Sequence, residues 1–219
     1  MVTLPVPALL GVLAAIEARR VTREFTPTAV DDEAIDALLR AAMRAPTAVY
    51  AEPWAFVVVQ DRDLLRTISD HAKALAELPS APASARTAKA PCAAAHMFPP
   101  AFNIFYNAGT LIVICSRSPG PFGAADCWLA AANLMLAATA RGLGACPIGF
   151  AIEALQAVDL KRDLGIPEEL RAVAAVIVGD SVFEVPEATR REPHVLRWLR
   201  EPRPPAPRAP RHTVWAAMT

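Results

Sequence analysis

Two stretches of this chain carry residue types that do chemistry. Arg19-Arg20-Val21-Thr22-Arg23-Glu24-Phe25 sets three guanidinium groups within five positions, after an apolar run and before an extended segment. Arginine stays charged at any working pH, and its planar fork matches a phosphate or the electron-rich edge of a heterocycle. The second stretch, Ala45-Pro46-Thr47-Ala48-Val49-Tyr50-Ala51-Glu52-Pro53-Trp54, is a proline-bracketed loop leading into the apolar run Ala55 to Val59. A late basic pair, Arg190-Arg191-Glu192-Pro193, is a further candidate for anion binding. Alone, an arginine cluster at a helix end serves equally as a solvated terminus that complements the helix dipole. Trp54 alone is most simply a core residue. On the residues themselves both readings stay open.

Several other chemistries lack their residues. No glycine fingerprint follows a strand; Gly142 and Gly144 follow a helix, where chain termination explains them. Neither a Walker-A loop nor a GxSxG elbow is present. Cys92, Cys115, Cys127 and Cys146 form no CxxC pair, and Cys92 with His96 has no second pair to complete a zinc site. No metal is expected, and the cysteines read as free thiols in a reducing compartment. Basic and acidic residues balance at 22 each, so no global field argues for nucleic acid or an anionic membrane. Val2 to Ile16 is apolar, yet it contains Pro5 and Pro7, lacks a basic leader and falls short of the ~20 residues of a membrane span. It reads as the first buried helix of a cytoplasmic protein.

The elements that must position these residues follow from patterning. At 219 residues and 54% hydrophobic composition, one domain is the natural reading. Ala8 to Arg20 is expected as helix. Asp31 caps a second helix, with Asp32 and Glu33 in its first turn and Ile35, Leu38, Leu39 and Ala42 on one face. Pro46 ends it. Trp54 to Gln60 is a strand and Asp61 to Glu77 a helix. Residues 78–108 form a variable excursion, rich in Ala and Pro as far as Pro100. Thr110 to Ser116 reads as a strand buried on both faces. Ala124 to Arg141 is a helix apolar nearly all round, suited to a core or a large interface. A short irregular strand through Ala145 to Phe150, a helix Glu153 to Leu164 and a strand Ala172 to Gly179 complete the order. Residues 199–219 form a tail dense in Pro and Arg.

In order and spacing, roughly from Ile16 to Trp198, the chain resembles the nitroreductase family. Arg19 to Arg23 resembles the family's RRSxR-like opening, and Pro46 to Trp54 its PSxxNxQPW-like loop. Asn133 to Gly144 matches the helix ending in GLG, Cys146 to Phe150 the flavin-edge segment, and Arg190-Arg191-Glu192-Pro193 the closing basic pair. The resemblance implies an α+β fold, a sandwich whose central, mostly antiparallel sheet is flanked by helices, assembled as an intertwined homodimer. It implies FMN as cofactor, NADH or NADPH as reductant, and a small electron-poor acceptor such as a nitroaromatic or quinone. Hydride would pass through flavin N5, with no dedicated catalytic side chain.

By the same resemblance Arg19 and Arg191, with Arg190 close behind, hold the FMN phosphate, Arg20 is a further cofactor-binding residue, and Arg23 sits at the flavin N1–O2 edge. Pro147, Ile148 and Gly149 line the ring, the N–H groups around Ile148 and Gly149 facing N5. Pro46, Thr47 and Tyr50 belong to the loop that reaches the partner subunit's flavin. Phe98, Phe102, Phe105 and Tyr106 are candidates for an aromatic wall over the slot, with core packing the alternative for some. The chain departs from the pattern at Val21, where the family has serine, at Tyr50 for asparagine, and at Glu52 for glutamine. Two other outcomes stay open beside the reductase. One is a specialised dehalogenase- or oxidase-like flavin enzyme, the other a flavin-storing or flavin-less binding protein.

Overall fold

Four apolar runs pair into one antiparallel sheet, β1 (Trp54–Val59), β2 (Thr110–Ser116), β3 (Gly144–Pro147) and β4 (Arg171–Gly179), in the order β1-β2-β4-β3. The computed structural model describes residues 11–48, 52–77, 99, 101–118, 120–183 and 190–199. Val113 lies opposite Val57 on one side and Ala175 on the other, with an irregularity of register between Ile114 and Cys115. Every residue of β2 is buried, because helices cover both faces of the sheet. That is why its sequence shows no polar alternation.

Alternate residues of β2 feed two cores. Leu111, Val113 and Cys115 pack with Leu65 and Ile68 of α3 (Arg62–Glu77), Leu155, and Leu160 of α6 (Val158–Asp163). Ile112 and Ile114 pack with Leu38 of α2 (Asp32–Ala42) and Leu134 of α4 (Pro121–Ala140). The period-2 side-chain direction of a strand thus sets the layers of the sandwich. Asp31 caps α2 as expected, its side chain accepting from Ala34 N at 2.8 Å.

Several boundaries differ from expectation, and β3, expected to run to Phe150, ends at Pro147. The N-terminal helix α1 (Val12–Ala18) stops before the arginines, with Arg19 as its C-cap. Helix α4 begins three residues earlier than Ala124, with Pro121 in its first turn and Gly120 at φ 93° before it. Proline at that position needs no N–H partner and is already set at a helical φ. The expected helix Glu153 to Leu164 is broken into α5 (Ala151–Ala154) and α6. At the break Gln156 Nε2 donates to Ala172 O at 2.7 Å and to Ile152 O at 3.2 Å.

By length and composition α4 would suit a membrane span. It packs on the sheet and against α2 and α1. Cys115, Cys127 and Cys146 are buried free thiols; Cys92, His96 and residues 78–98 lie outside the described residues. The chain divides into two units, Met1–Ala188 and Thr189–Thr219. The first holds the sheet and both cores. In the second, residues 190–199 are exposed and form neither helix nor strand.

Candidate active site

The arginine-bearing segment is anchored by its two buried members, Thr22 and Phe25. Thr22 N donates to Ala145 O of β3 at 3.3 Å, and Thr26 N to Asp180 O at 2.9 Å. Phe25 N donates to Tyr106 O at 3.3 Å, and Val182 N to Glu24 O at 3.1 Å. The segment is therefore stitched to β3, to the end of β4 and to the 102–107 turn. With Thr22 and Phe25 turned inward, Arg23 is left at the surface of an adjoining cavity.

Gly144 makes this approach possible. A Cβ on it would lie 2.6 Å from Thr22 Oγ1, so any side chain there would push the segment away. Helix termination, the reading given to both glycines, holds for Gly142 at φ 79°; Gly144 belongs to β3 and is required by close packing.

The cavity measures about 280 Å³ and brings together residues from three parts of the chain. Arg23 comes from the N-terminal segment, Phe102, Ile104 and Tyr106 from the 102–107 turn, and Cys146 to Phe150 from the end of β3. Arg23 is its one charged lining residue among the described residues. Beside it, burial pushes the Cys146 thiol above its ordinary pKa, and the Arg23 guanidinium partly offsets this. Nothing lies within 4 Å of where a Cβ on Gly149 would sit, so the cavity is open over that backbone.

Of the residues singled out in the sequence, Arg23, Pro147, Ile148 and Gly149 meet here. The N–H of Ile148 needs a correction: it donates to Ala175 O at 2.8 Å, which leaves Gly149 to supply any donor at that edge. Arg19 and Arg20 are half-buried at the end of α1. Arg20 Nη1 donates to the carbonyls of Glu17 and Arg19, the second at 3.1 Å, and so caps the helix. Pro46 is exposed and Thr47 half-buried. Their loop is tied to α4 by Ala48 N, which donates to both carboxylate oxygens of the buried Asp126 at 3.2 and 3.3 Å. Tyr50 lies outside the described residues, and Glu52 is exposed at φ 41°. Arg190 and Arg191 are exposed within the second unit.

Phe102 and Tyr106 line the cavity, as an aromatic wall requires; Phe105 is a core residue, and Phe98 lies outside the described residues. Ile104 was not singled out in the sequence. Its spacing of two from both Phe102 and Tyr106 is the signal that would have found it.

The Nitroreductase family profile matches residues 16–180. This chain belongs to the nitroreductase family. It is 30% identical over 172 residues to an Archaeoglobus fulgidus protein that carries the provisional name NADH dehydrogenase/NAD(P)H nitroreductase, covering 76% of this chain and 83% of that one. The fold matches the nitroreductase with bound FMN from Bacteroides fragilis at TM-score 0.71 and 20% identity, over 88% of this chain and all of that one. It also matches the FMN-dependent nitroreductase of Clostridium difficile R20291 at TM-score 0.68 and 24% identity, over 85% of this chain and 98% of that one. The two structural likenesses establish the nitroreductase fold, with the sheet and its flanking helices as described above.

Proposed function

We propose that this nitroreductase-family protein is an FMN-dependent oxidoreductase that draws electrons from NADH or NADPH and passes them to nitroaromatics, quinones or similar electron-poor acceptors. The observation that carries this reading is the convergence of Arg23, the Pro147–Gly149 segment and three aromatic side chains on one cavity. The lining suits a flat, uncharged ring with one electron-rich edge. Apolar and aromatic side chains cover it, the Arg23 guanidinium is available to such an edge, and the space over Gly149 is open among the described residues. The names of the relatives agree, since they are NAD(P)H and FMN-dependent nitroreductases.

When bound, FMN supplies a ring that accepts two electrons and releases them to a second substrate. The chain supplies the rest. Arg23, which lines the cavity, would offer positive charge to a reduced, anionic ring held there, and so would favour reduction. Gly149 offers a backbone N–H and Phe102, Tyr106 and Phe150 exclude water. Arg19 is assigned to the phosphate, and Arg20 to the helix end. Pro46, Thr47 and Tyr50 are assigned to the flavin of a second subunit, in a cytoplasmic homodimer.

The test is an absorption spectrum of the purified protein, followed during an anaerobic titration with NADH and then NADPH. A yellow protein with about one FMN per subunit, bleached by either nucleotide and restored by a quinone, is expected. A colourless protein that takes up no added FMN would sink the catalytic reading in favour of a flavin-less binding role. A flavin that neither nucleotide bleaches would point to a specialised flavin enzyme.

A further inference from the structure

The cavity wall built from residues 102–107 has an unusual backbone. Tyr106 and Asn107 follow one another at φ 51° and 66°, in the left-handed region that side chains other than glycine seldom occupy. For asparagine that conformation is tolerated; for a bulky tyrosine it persists only where the surroundings enforce it. Here they do. Tyr106 N donates to Asn103 O at 3.0 Å and Tyr106 O accepts from Phe25 N at 3.3 Å. Asn103 Oδ1 accepts from Phe105 N at 2.8 Å, and Asn107 Nδ2 donates to Phe25 O at 3.4 Å. From α3, Ser69 Oγ accepts from Ile104 N at 3.1 Å, and Lys73 Nζ donates to Phe102 O at 3.0 Å. Buried Phe105 pins the same turn into the core. The two cavity-facing rings, Phe102 and Tyr106, pack edge to face with centroids 5.6 Å apart.

We propose that Tyr106 is the specificity-determining residue of the cavity, a ring held immobile by the 102–107 turn that admits flat aromatic acceptors and excludes those with bulk out of the plane. This rests on the FMN reading above. The reasoning is steric. A wall on a mobile loop recedes and repacks around whatever enters, and so discriminates weakly. This wall is tied at each of its six residues to Phe25, to α3 or to itself, and the Phe102 ring stands against the Tyr106 ring. A flat conjugated ring can stack along such a surface, whereas a tetrahedral substituent has to displace it.

The experiment uses the full-length, FMN-loaded protein and two quinones, 1,4-naphthoquinone and 2,6-di-tert-butyl-1,4-benzoquinone. The wild type should show a high ratio of kcat/KM for the flat over the bulky acceptor. Tyr106→Ala should lower that ratio by about tenfold or more, the scale on which a pocket wall discriminates small hydrocarbon groups. Tyr106→Phe should keep it within about twofold, because the ring and not the hydroxyl is the wall. Asn107→Ala loosens the turn without touching the cavity, and should lower the ratio in the same direction by less. Independent of turnover, the dissociation constant of 2-naphthoate, read from perturbation of the bound flavin's spectrum, should rise in Tyr106→Ala and hold in Tyr106→Phe. An unchanged ratio and an unchanged 2-naphthoate constant in Tyr106→Ala, in protein that binds FMN and is bleached by NAD(P)H, would overturn this proposal alone. A wild type without FMN would overturn the FMN reading and the wall's role with it.

Discussion

Arg23 is where charge and cavity meet, and its effect should be electrochemical. The oxidised flavin ring is neutral and the reduced ring anionic at its N1–O2 edge, so a guanidinium there stabilises one state over the other. A charge-assisted hydrogen bond is worth roughly 1.5–3 kcal/mol, and ~30 mV of a two-electron couple corresponds to about 1.4 kcal/mol. Arg23→Ala should therefore lower the midpoint potential by about 30–60 mV and slow reduction by NAD(P)H, with only a modest loss of FMN. Dye-equilibrated titration measures it; an unmoved potential in flavin-loaded variant removes Arg23 from the ring edge. Within the chain Arg23 stands beside the Cys146 thiol, and Glu52 is exposed. Arg19→Ala should act on affinity instead, weakening FMN binding by about 10- to 150-fold if it holds the phosphate. Arg20→Ala should cost much less, because its guanidinium already caps α1. Equal losses from the two variants would contradict that division of labour.

At the scale of elements, α4 shows how an apolar helix keeps its register. Its inward polar residues each tie down a separate piece of the chain. Asn133 Nδ2 donates to Ala41 O near the C-terminal end of α2 at 3.2 Å, and Asp126 accepts from the Pro46–Ala48 loop. Asn133→Ala should destabilise the fold by about 1 kcal/mol, read as a lower urea midpoint, and leave FMN affinity unchanged. A variant as stable as the wild type would mean that water serves the Ala41 carbonyl equally well. The four strands, the Asp31 cap and the arginine segment were legible in the sequence because their signals are local: an apolar run, an N-cap side chain, a charge cluster. What was not legible depends on partners far along the chain. The break between α5 and α6 is held by Gln156 reaching Ala172, and Ile148 loses its N–H to Ala175. Gly144 is fixed by Thr22, more than a hundred positions away, whereas Pro121 in the first turn of α4 is a local signal.

On the whole molecule, the largest unexplained feature is apolar surface. Val12, Leu13 and Ile16 of α1 are 73%, 76% and 51% exposed, and Phe122, Trp128 and Leu129 of α4 are 67%, 42% and 44% exposed. The two helices pack against each other within the first unit. Soluble monomers rarely leave so many large apolar side chains together in water, and a stable interface needs roughly 1,200 Å² or more of buried surface. A second copy of the chain on this face would cover it. Wild-type protein should therefore scatter light as a dimer at micromolar concentration. Trp128→Glu would place an unpaired carboxylate in the contact, where its desolvation is costly, and should shift the equilibrium toward monomer. The consequence for the cofactor follows from the loop that carries Pro46 and Thr47. If it completes the flavin site of the other subunit, Trp128→Glu should lose FMN as it dissociates, with affinity recovering at high protein concentration. A Trp128→Glu monomer that binds FMN as tightly as the wild-type dimer would show that each chain holds its flavin unaided, and would detach Pro46, Thr47 and Tyr50 from the site.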